Sequence, residues 1–283
     1  MTSAPDRFVL VTGASTGIGR AIAEGAVQRG FRVFAGVRRT ADADAVRGPR
    51  VQPVLLEVTS DDSVRAAAAE IGAACGPAGL HGLVNNAGIA VAATVEHVPL
   101  DTLREQFEVN FFGIVRVTQA CLPLLKRARG RIVMISSQNG RIAMPLMGPY
   151  CASKFALEGL SDALRLEVAP LGVSVTLIEP GAVATPIWER SLARAQRLRS
   201  AMPESAQREY ARLIGAVAAK VDEAAARGIS AAECAAPVIA ALEARKPRVR
   251  VPVGRDARRN LFFRRWISDR RLDRIVSGSL GWR

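Results

Sequence analysis

The sequence predicts an α/β fold in which a doubly wound parallel sheet carries helices on both faces. Two observations predict it. Short runs rich in Val, Ile and Leu alternate with helical stretches of about ten or more residues. The first of these runs also leads through a glycine-rich turn straight into a helix.

Taken in order, residues 8–11 form the first strand, a helix follows the glycine turn to about residue 29, and residues 32–36 form the next strand, which is one βαβ unit. Residues 51–56, 82–84, 131–135 and 173–178 continue the series. They are apolar almost throughout, as strands covered on both faces must be. Longer helices are expected over about 100–127 and 150–169, the second closed by Pro170 and Gly172. Pro123 is expected to kink or end the first, because its ring removes an N–H and clashes with the preceding turn. Residues 186–228 then interrupt the alternation with a mostly helical, Ala- and Arg-rich insertion, before a helix resumes over 231–244. Its place after a strand's C-terminal end, where ligands enter open sheets, reads as a substrate lid. No repeat of fixed period is present.

At 283 residues the default is one domain spanning 1–283. The 49% hydrophobic and 23% charged content is that of an ordinary globular chain. No apolar run approaches the roughly 18 to 20 residues that cross a bilayer, and the start MTSAPDRFVLVTG lacks a secretory pattern, so a cytoplasmic protein is expected. Cys75, Cys121, Cys151 and Cys234 lie far apart with no CxxC pair, which argues for free thiols and against a disulfide framework or a metal site. The net charge of +13 is concentrated: the last forty residues carry +10 of it. A nucleic-acid or membrane reading is thereby confined to the basic, amphipathic tail over 254–283, where Leu261, Phe262, Trp266, Ile267, Leu272 and Ile275 lie among arginines. The favoured reading packs that apolar side on the domain or a second subunit, with peripheral membrane contact as an alternative and no nucleic acid expected. Only 4 of the 39 basic residues are lysine, a bias that raises charge without functional demand.

The segment Thr12 to Gly19, TGASTGIG, lies between the first strand and its helix. Gly13 permits the tight turn, Gly17 lets the backbone approach a pyrophosphate, Gly19 lets the helix pack closely, and the helix start offers unpaired amides to an anion. Tyr150 and Lys154 are four apart, hence on one helix face. A phenol is a poor base at neutral pH, but a nearby ammonium and an oxidised nicotinamide ring favour the phenolate, so Tyr150 becomes usable as acid and base. Ser137 ends the strand over 131–135, which puts its hydroxyl at the sheet's C-terminal edge, with Ser136 as its neighbour. At the end of the second strand an acidic residue would hold the ribose hydroxyls of NAD; this chain has Val37 followed by Arg38 and Arg39, which suits the phosphate of NADP(H).

Read together, the TGxxxGxG turn, Asn85-Asn86-Ala87-Gly88, Ser137 and Tyr150-Cys-Ala-Ser-Lys154 resemble the short-chain dehydrogenase/reductase family, in order and at family spacing over about residues 8–252. The stretch from Gly148 to Gly181 is similar to its retinol dehydrogenase and 17β-hydroxysteroid dehydrogenase group. The resemblance implies a Rossmann-type sheet of about seven strands. It implies a catalytic set of Asn110, Ser137, Tyr150 and Lys154, with Ser137 on the reacting oxygen and Asn110 supporting a water that links Lys154 to solvent. It implies an NADP(H) site formed by Gly13, Ser15, Thr16, Gly17, Ile18 and Gly19; by Arg38, Arg39, Glu57 and Val58; by Asn86, Ala87 and Gly88; by Tyr150 and Lys154; and by Pro180, Gly181, Val183 and Thr185. Glu57 stands where the family commonly has aspartate. His81 and His97 match no family role.

The resemblance further implies an oxidoreductase interconverting an alcohol and a ketone or aldehyde on a hydrophobic small molecule, as a homodimer or homotetramer associating through the helices that hold Asn110 and Tyr150. A cofactor-sensing or nucleic-acid- or membrane-binding protein on the same fold is the alternative. The substrate pocket is expected from Ile142, Ala143, Met144, Leu146 and Met147, capped by Trp188, Leu192 and Met202, residues that would serve equally as core.

Overall fold

Runs with no polar face can be buried only between two layers, and six of them, with a short edge strand, make one seven-stranded sheet here. The structure, a computed structural model, describes residues 6–282. The first half of the chain runs β1 (Arg7–Thr12), α1 (Gly17–Gln28), β2 (Phe31–Val37), α2 (Thr40–Val46), β3 (Val51–Leu55), α3 (Asp61–Cys75), β4 (Gly82–Asn85), α4 (Leu100–Phe107), α5 (Gly113–Ala128) and β5 (Arg131–Ile135). The second half runs α6 (Gly148–Val168), β6 (Ser174–Pro180), α7 (Ile187–Ser200), α8 (Glu204–Glu209), α9 (Ala211–Arg227), α10 (Ala231–Glu243), β7 (Arg250–Val253), α11 (Arg255–Arg264) and α12 (Asp269–Ser279). All strands are parallel, in the order β3-β2-β1-β4-β5-β6-β7. The expected doubly wound architecture is therefore present. β7, a short Arg-Val-Pro-Val segment at the sheet edge, is the strand that the apolar runs do not reveal; an edge is where a strand proline is tolerated.

The alternation of side chains along each strand divides the core in two. Val9 and Val11 of β1 face a cluster with Ile22 and Ala26 of α1 and with Val238 and Leu242 of α10. Leu10 faces the other cluster, with Ile71 of α3, Val117 of α5 and Leu157 of α6. Strand order reverses between β1 and β4, and the crevice outside their C-terminal ends is where such sheets take ligands.

One expectation is corrected. The helix over 100–127 does not end at Pro123, which lies inside α5. It is broken at Glu108–Phe112, a π-helical turn between α4 and α5 that turns Asn110 inward. Such widened turns recur at functional sites. In the tail Ala257, Leu261 and Leu280 are buried and Ile267, Leu272 and Val276 half-buried, while Phe262, Phe263, Trp266 and Ile275 are exposed. Residues 186–228 are largely helical, as α7, α8 and α9. No helix among the described residues is long and apolar enough to cross a membrane.

The four cysteines are free and buried, and burial pushes Cys75 up to about 11 and Cys121 and Cys234 to about 12. Leu242 is fully buried, and a Cβ added to Gly82 would come within 2.5 Å of its Cδ2. Leu242→Ala is expected to lower unfolding free energy by about 2–5 kcal/mol. Gly82→Ala, destabilising alone, should be largely tolerated in the Leu242→Ala background. Urea unfolding of the four-member cycle checks this, and strict additivity would contradict it.

Candidate active site

The turn between β1 and α1 is built on absent side chains. Gly13 and Gly17 have φ of +62° and +57°, which favours glycine. A Cβ on Gly19 would collide with the Gly13 carbonyl and the Asn86 side-chain amide. The result is a cradle of backbone that a side chain would fill. Thr16 caps α1 in extended conformation without a side-chain cap bond, so the amides of Gly17, Ile18 and Gly19 open onto the crevice beside Ser15. These features fit a dinucleotide's pyrophosphate.

Asn86 holds the cradle in place. Its backbone N–H and that of Ala87 both donate to the Thr12 hydroxyl at 2.9 Å. Its side-chain amide donates to the carbonyls of Thr12 and Gly13 at 2.9 and 3.1 Å. The end of β4 is thereby tied to the end of β1, and Gly88 passes close to the Asn110 side chain.

At the end of β2, Arg38 and Arg39 diverge. Arg39 pairs bidentately with Asp42 at 2.7 and 2.8 Å, whereas exposed Arg38 makes no ion pair among the described residues. The Asp42 carboxyl is held below its ordinary range chiefly by its hydrogen bond with Arg39, with Arg38 and Arg190 adding to it. Arg190 belongs to α7, and nothing in the sequence shows that it reaches this corner. Glu57 turns back on its own loop, one carboxylate oxygen accepting from the Thr59 N–H and hydroxyl at 3.1 and 3.0 Å. Val58 is buried, and its carbonyl accepts from Arg116.

The proton-handling residues meet at the C-terminal end of β5. Ser137 and Ser136 have different partners: the Ser137 hydroxyl accepts the Asn139 N–H at 3.1 Å and lies near enough to the Tyr150 phenol to act on it, while the Ser136 hydroxyl donates to Glu158. Lys154, one turn after Tyr150 on α6, is buried, and its Nζ donates to the Ile135 carbonyl at 2.8 Å. Two N–H donors of the ammonium remain, enough for a ribose diol. Burial pushes the Tyr150 phenol up to about 12, and the neighbouring Ser137 hydroxyl pulls it down. Burial likewise lowers Lys154 to about 8, with Glu158 opposing. Lys154 Nζ lies 5.8 Å from the centre of the Tyr150 ring.

Asn110 is buried, and its amide clamps Ile89, accepting from its N–H and donating to its carbonyl, both at 2.9 Å. A third bond is donated to the Ser153 hydroxyl at 3.3 Å. Gln106, one turn earlier and also buried, does the same to Ile89 and Val91, a role that sequence reasoning misses. Beneath the site, Glu158 also accepts from Arg250 of β7 at 3.0 Å, and Arg250 reaches Asp162 at 2.6 Å. Glu179, almost fully buried, pairs with Arg141 at 3.2 Å, and its carboxyl is raised by burial.

The segment after β6 is fixed from two sides. Asp256 of α11 accepts the Ala182 N–H at 2.9 Å and excludes any side chain at Gly181, which follows Pro180. Val183 and Ala184 bridge to Ile229, and the Val183 carbonyl accepts from the Trp188 indole. Thr185 lies against Gly17, so the segment expected to hold nicotinamide closes over the segment expected to hold pyrophosphate. Asp256 carries no local sequence signal.

Beside this lies a largely apolar cavity of about 190 Å³. Of the residues expected there, Leu146, Met147, Trp188, Leu192 and Met202 line it, whereas Ile142, Ala143 and Met144 do not. Leu146 adopts φ of +62°, and its carbonyl accepts from the Ala93 N–H at 2.7 Å. Residues 92–94, His97, further residues of α7 from Ser191 to Arg199 and one face of α9 complete the lining, so His97 has a place that its sequence context does not mark. Tyr150 is not in the lining itself, but Met147, three residues before it, is.

The family model described as short chain dehydrogenase matches residues 7–196. The NADPH-dependent 3-dehydrocapnine reductase of Ornithobacterium rhinotracheale is 37% identical over 280 residues, 95% of each chain. The mitochondrial D-beta-hydroxybutyrate dehydrogenase of Mus musculus is 40% identical over 223 residues, 74% of this chain and 65% of that protein, so the match spans just under two thirds of its length. Retinol dehydrogenases and a 17-beta-hydroxysteroid dehydrogenase are also among the similar proteins. A short chain dehydrogenase from Burkholderia cenocepacia J2315, solved in complex with NADP, superposes with a TM-score of 0.73 at 28% identity, covering 95% of this chain and 96% of that one.

The Lys154 ammonium is expected to titrate near pH 8, losing its charge as pH rises through that value. Glu158→Gln keeps an acceptor for Ser136 but removes the carboxylate charge that raises the Lys154 value, so the titration should move to lower pH. Nitrogen-15 NMR of the lysine Nζ in both proteins decides this; an unmoved titration would show that Glu158 does not act on Lys154.

Proposed function

The chain belongs to the short-chain dehydrogenase/reductase family, and on that premise we propose that it is an NADP(H)-dependent oxidoreductase interconverting an alcohol and a ketone or aldehyde on a hydrophobic small molecule. The observation that carries the reading is the meeting of Ser137, Tyr150 and Lys154 at the end of β5, in the crevice that the glycine cradle opens. A bound nicotinamide cofactor supplies the hydride to the carbonyl carbon. Tyr150 holds the proton for the carbonyl oxygen, and at neutral pH its raised phenol is protonated and ready to donate. Ser137 orients that oxygen beside the phenol. Lys154, charged below about pH 8, stabilises the phenolate that proton transfer leaves and offers its remaining donors to the ribose. Asn110 acts as a clamp, fixing the Ile89 loop over α6.

The phosphate preference is supported by Arg38, unpaired and exposed at the end of β2, with Arg190 near the same corner and no carboxylate following Val37. The apolar lining of the cavity supports a hydrophobic substrate. Self-association through the helices that hold Asn110 and Tyr150 is supported by exposed Phe112, Phe155 and Leu166.

Two measurements test this. Across ketones, retinal, steroids and aryl carbonyls, Tyr150→Phe should lower NADPH oxidation by at least about a hundredfold. Undiminished turnover would remove Tyr150 as proton donor. Arg38→Asp should reduce the NADPH over NADH preference in kcat/KM by about tenfold to a hundredfold, the worth of one charge-assisted bond. A preference that does not move would assign the phosphate elsewhere.

A further inference from the structure

The last two helices are attached to the body by one side only. Asp256, in the first turn of α11, grips the Ala182 N–H, Asn260 donates to Gln138 at 3.0 Å, and Ala257 and Leu261 are buried. The opposite side carries an apolar group with no cover. Phe262, Phe263 and Trp266 are 59%, 51% and 75% exposed. Phe262 and Phe263 lie on the last turn of α11 and Trp266 in the turn that follows it, and the two phenyl rings meet edge to face at 5.5 Å. Ile275 of α12 is exposed as well.

The charge around this group has one sign. Eight arginines lie between Arg255 and Arg274, against three aspartates. Asp256 is turned inward to Ala182, and Asp269 is paired with Arg264 at 2.8 Å. The other seven arginines form no ion pair among the described residues, and the Arg265 guanidinium lies 6.0 Å from the Trp266 ring centre. Seven unpaired guanidinium groups around three exposed aromatic rings ask for an occupant that is apolar inside and anionic at its surface.

We propose that this face docks on an anionic lipid bilayer, with Phe262, Phe263 and Trp266 entering the boundary between headgroups and acyl chains and the arginines meeting lipid phosphates and acidic headgroups. A second copy is the poorer fit, because a two-fold contact would set this patch against itself and oppose like charges. Exposed Phe112 and Phe155 offer self-association a face without that excess charge. A nucleic acid matches the charge but leaves the aromatic cluster on a helix end with no groove to line. Because α11 grips residues 138 and 182 next to Ser137, docking sets the mouth of the active site at the bilayer surface. That last consequence rests on the proposed function; the docking itself does not.

The test is co-sedimentation of the full chain with vesicles of phosphatidylcholine alone and of phosphatidylcholine mixed with phosphatidylglycerol. Three results are expected: the chain pellets with the mixed vesicles and not with pure phosphatidylcholine, raised salt weakens the binding, and Phe262→Ser/Phe263→Ser/Trp266→Ser lowers the partition coefficient about tenfold or more with thermal unfolding unchanged. Arg258→Glu/Arg259→Glu/Arg265→Glu should lower it comparably. The proposal is overturned if anionic vesicles do not retain the chain or if the aromatic triple variant binds them as well as the parent. It is equally overturned if light scattering shows that variant dissociating a parent oligomer, or if a short DNA displaces the chain from mixed vesicles. NADPH turnover by the unbound triple variant is expected to be unchanged, so failure of docking and failure of the enzymatic reading are read separately.

Discussion

Where β1 and β4 part, four hydrogen bonds hold the molecule's working geometry: two into the Thr12 hydroxyl and two from the Asn86 amide into the carbonyls of Thr12 and Gly13. A sheet whose order reverses must leave a gap at that point, and without a tie the loops on either side would be free to drift apart. The tie has a steric condition. Asn86 reaches its acceptors only because Gly19 has no side chain, and Gly13 must turn with positive φ beside Ala87. Glycine turn and asparagine loop are thus one device, and the opened amides of α1 result from it.

The proton chemistry obeys a similar constraint. A phenol and an ammonium in one buried corner each resist their charged form, which leaves Tyr150 neutral and Lys154 with its charge only weakly held at neutral pH. Glu158 supports that charge from one turn further along α6, and Arg250 in turn balances Glu158 from β7. The edge strand therefore contributes electrostatically to a site whose visible residues lie on β5 and α6. A buried carboxylate without a guanidinium partner would be costly, which is a reason for the arginine to stand inside a strand.

Legible in the sequence is whatever repeats within a turn or two of chain. Tyr150 and Lys154 share a helix face by spacing, the glycine turn announces itself between strand and helix, and six of the strands are apolar runs. Ser136 and Ser137 cannot be separated by spacing, since either hydroxyl can be turned upward; the bond from Ser136 to Glu158 decides it. Gln106 and Asp256 are illegible for a different reason: each binds main chain far away in sequence, and no local pattern marks such a pair. Sequence places the helix break at Pro123 and not at Glu108–Phe112 because a proline's local cost is visible, whereas the pull of Ile89 on Asn110 is tertiary. The tail is legible as amphipathic, but the number of its apolar residues that find cover depends on the shape of the body beneath.

The helices over the cavity contrast with the rigid floor. α7 and α9 bury few residues, Ser191 and Leu213 among them, and they are tied down by exposed contacts, Arg194 with Glu105 and the Tyr210 hydroxyl with Glu96 at 2.7 Å. Exposed links of that kind are screened and easily exchanged for water. A segment with so few buried contacts lies at the low-stability end of the molecule, where local opening costs least. The floor does not share that softness: besides the Trp188 indole of α7 on the Val183 carbonyl, residues 182–184 are held by Asp256 and Ile229, and 89–91 by Gln106 and Asn110, which lie outside the covering helices. Opening the cavity therefore need not disturb the residues that handle the proton, so a bulky apolar molecule can be exchanged while the catalytic geometry is kept.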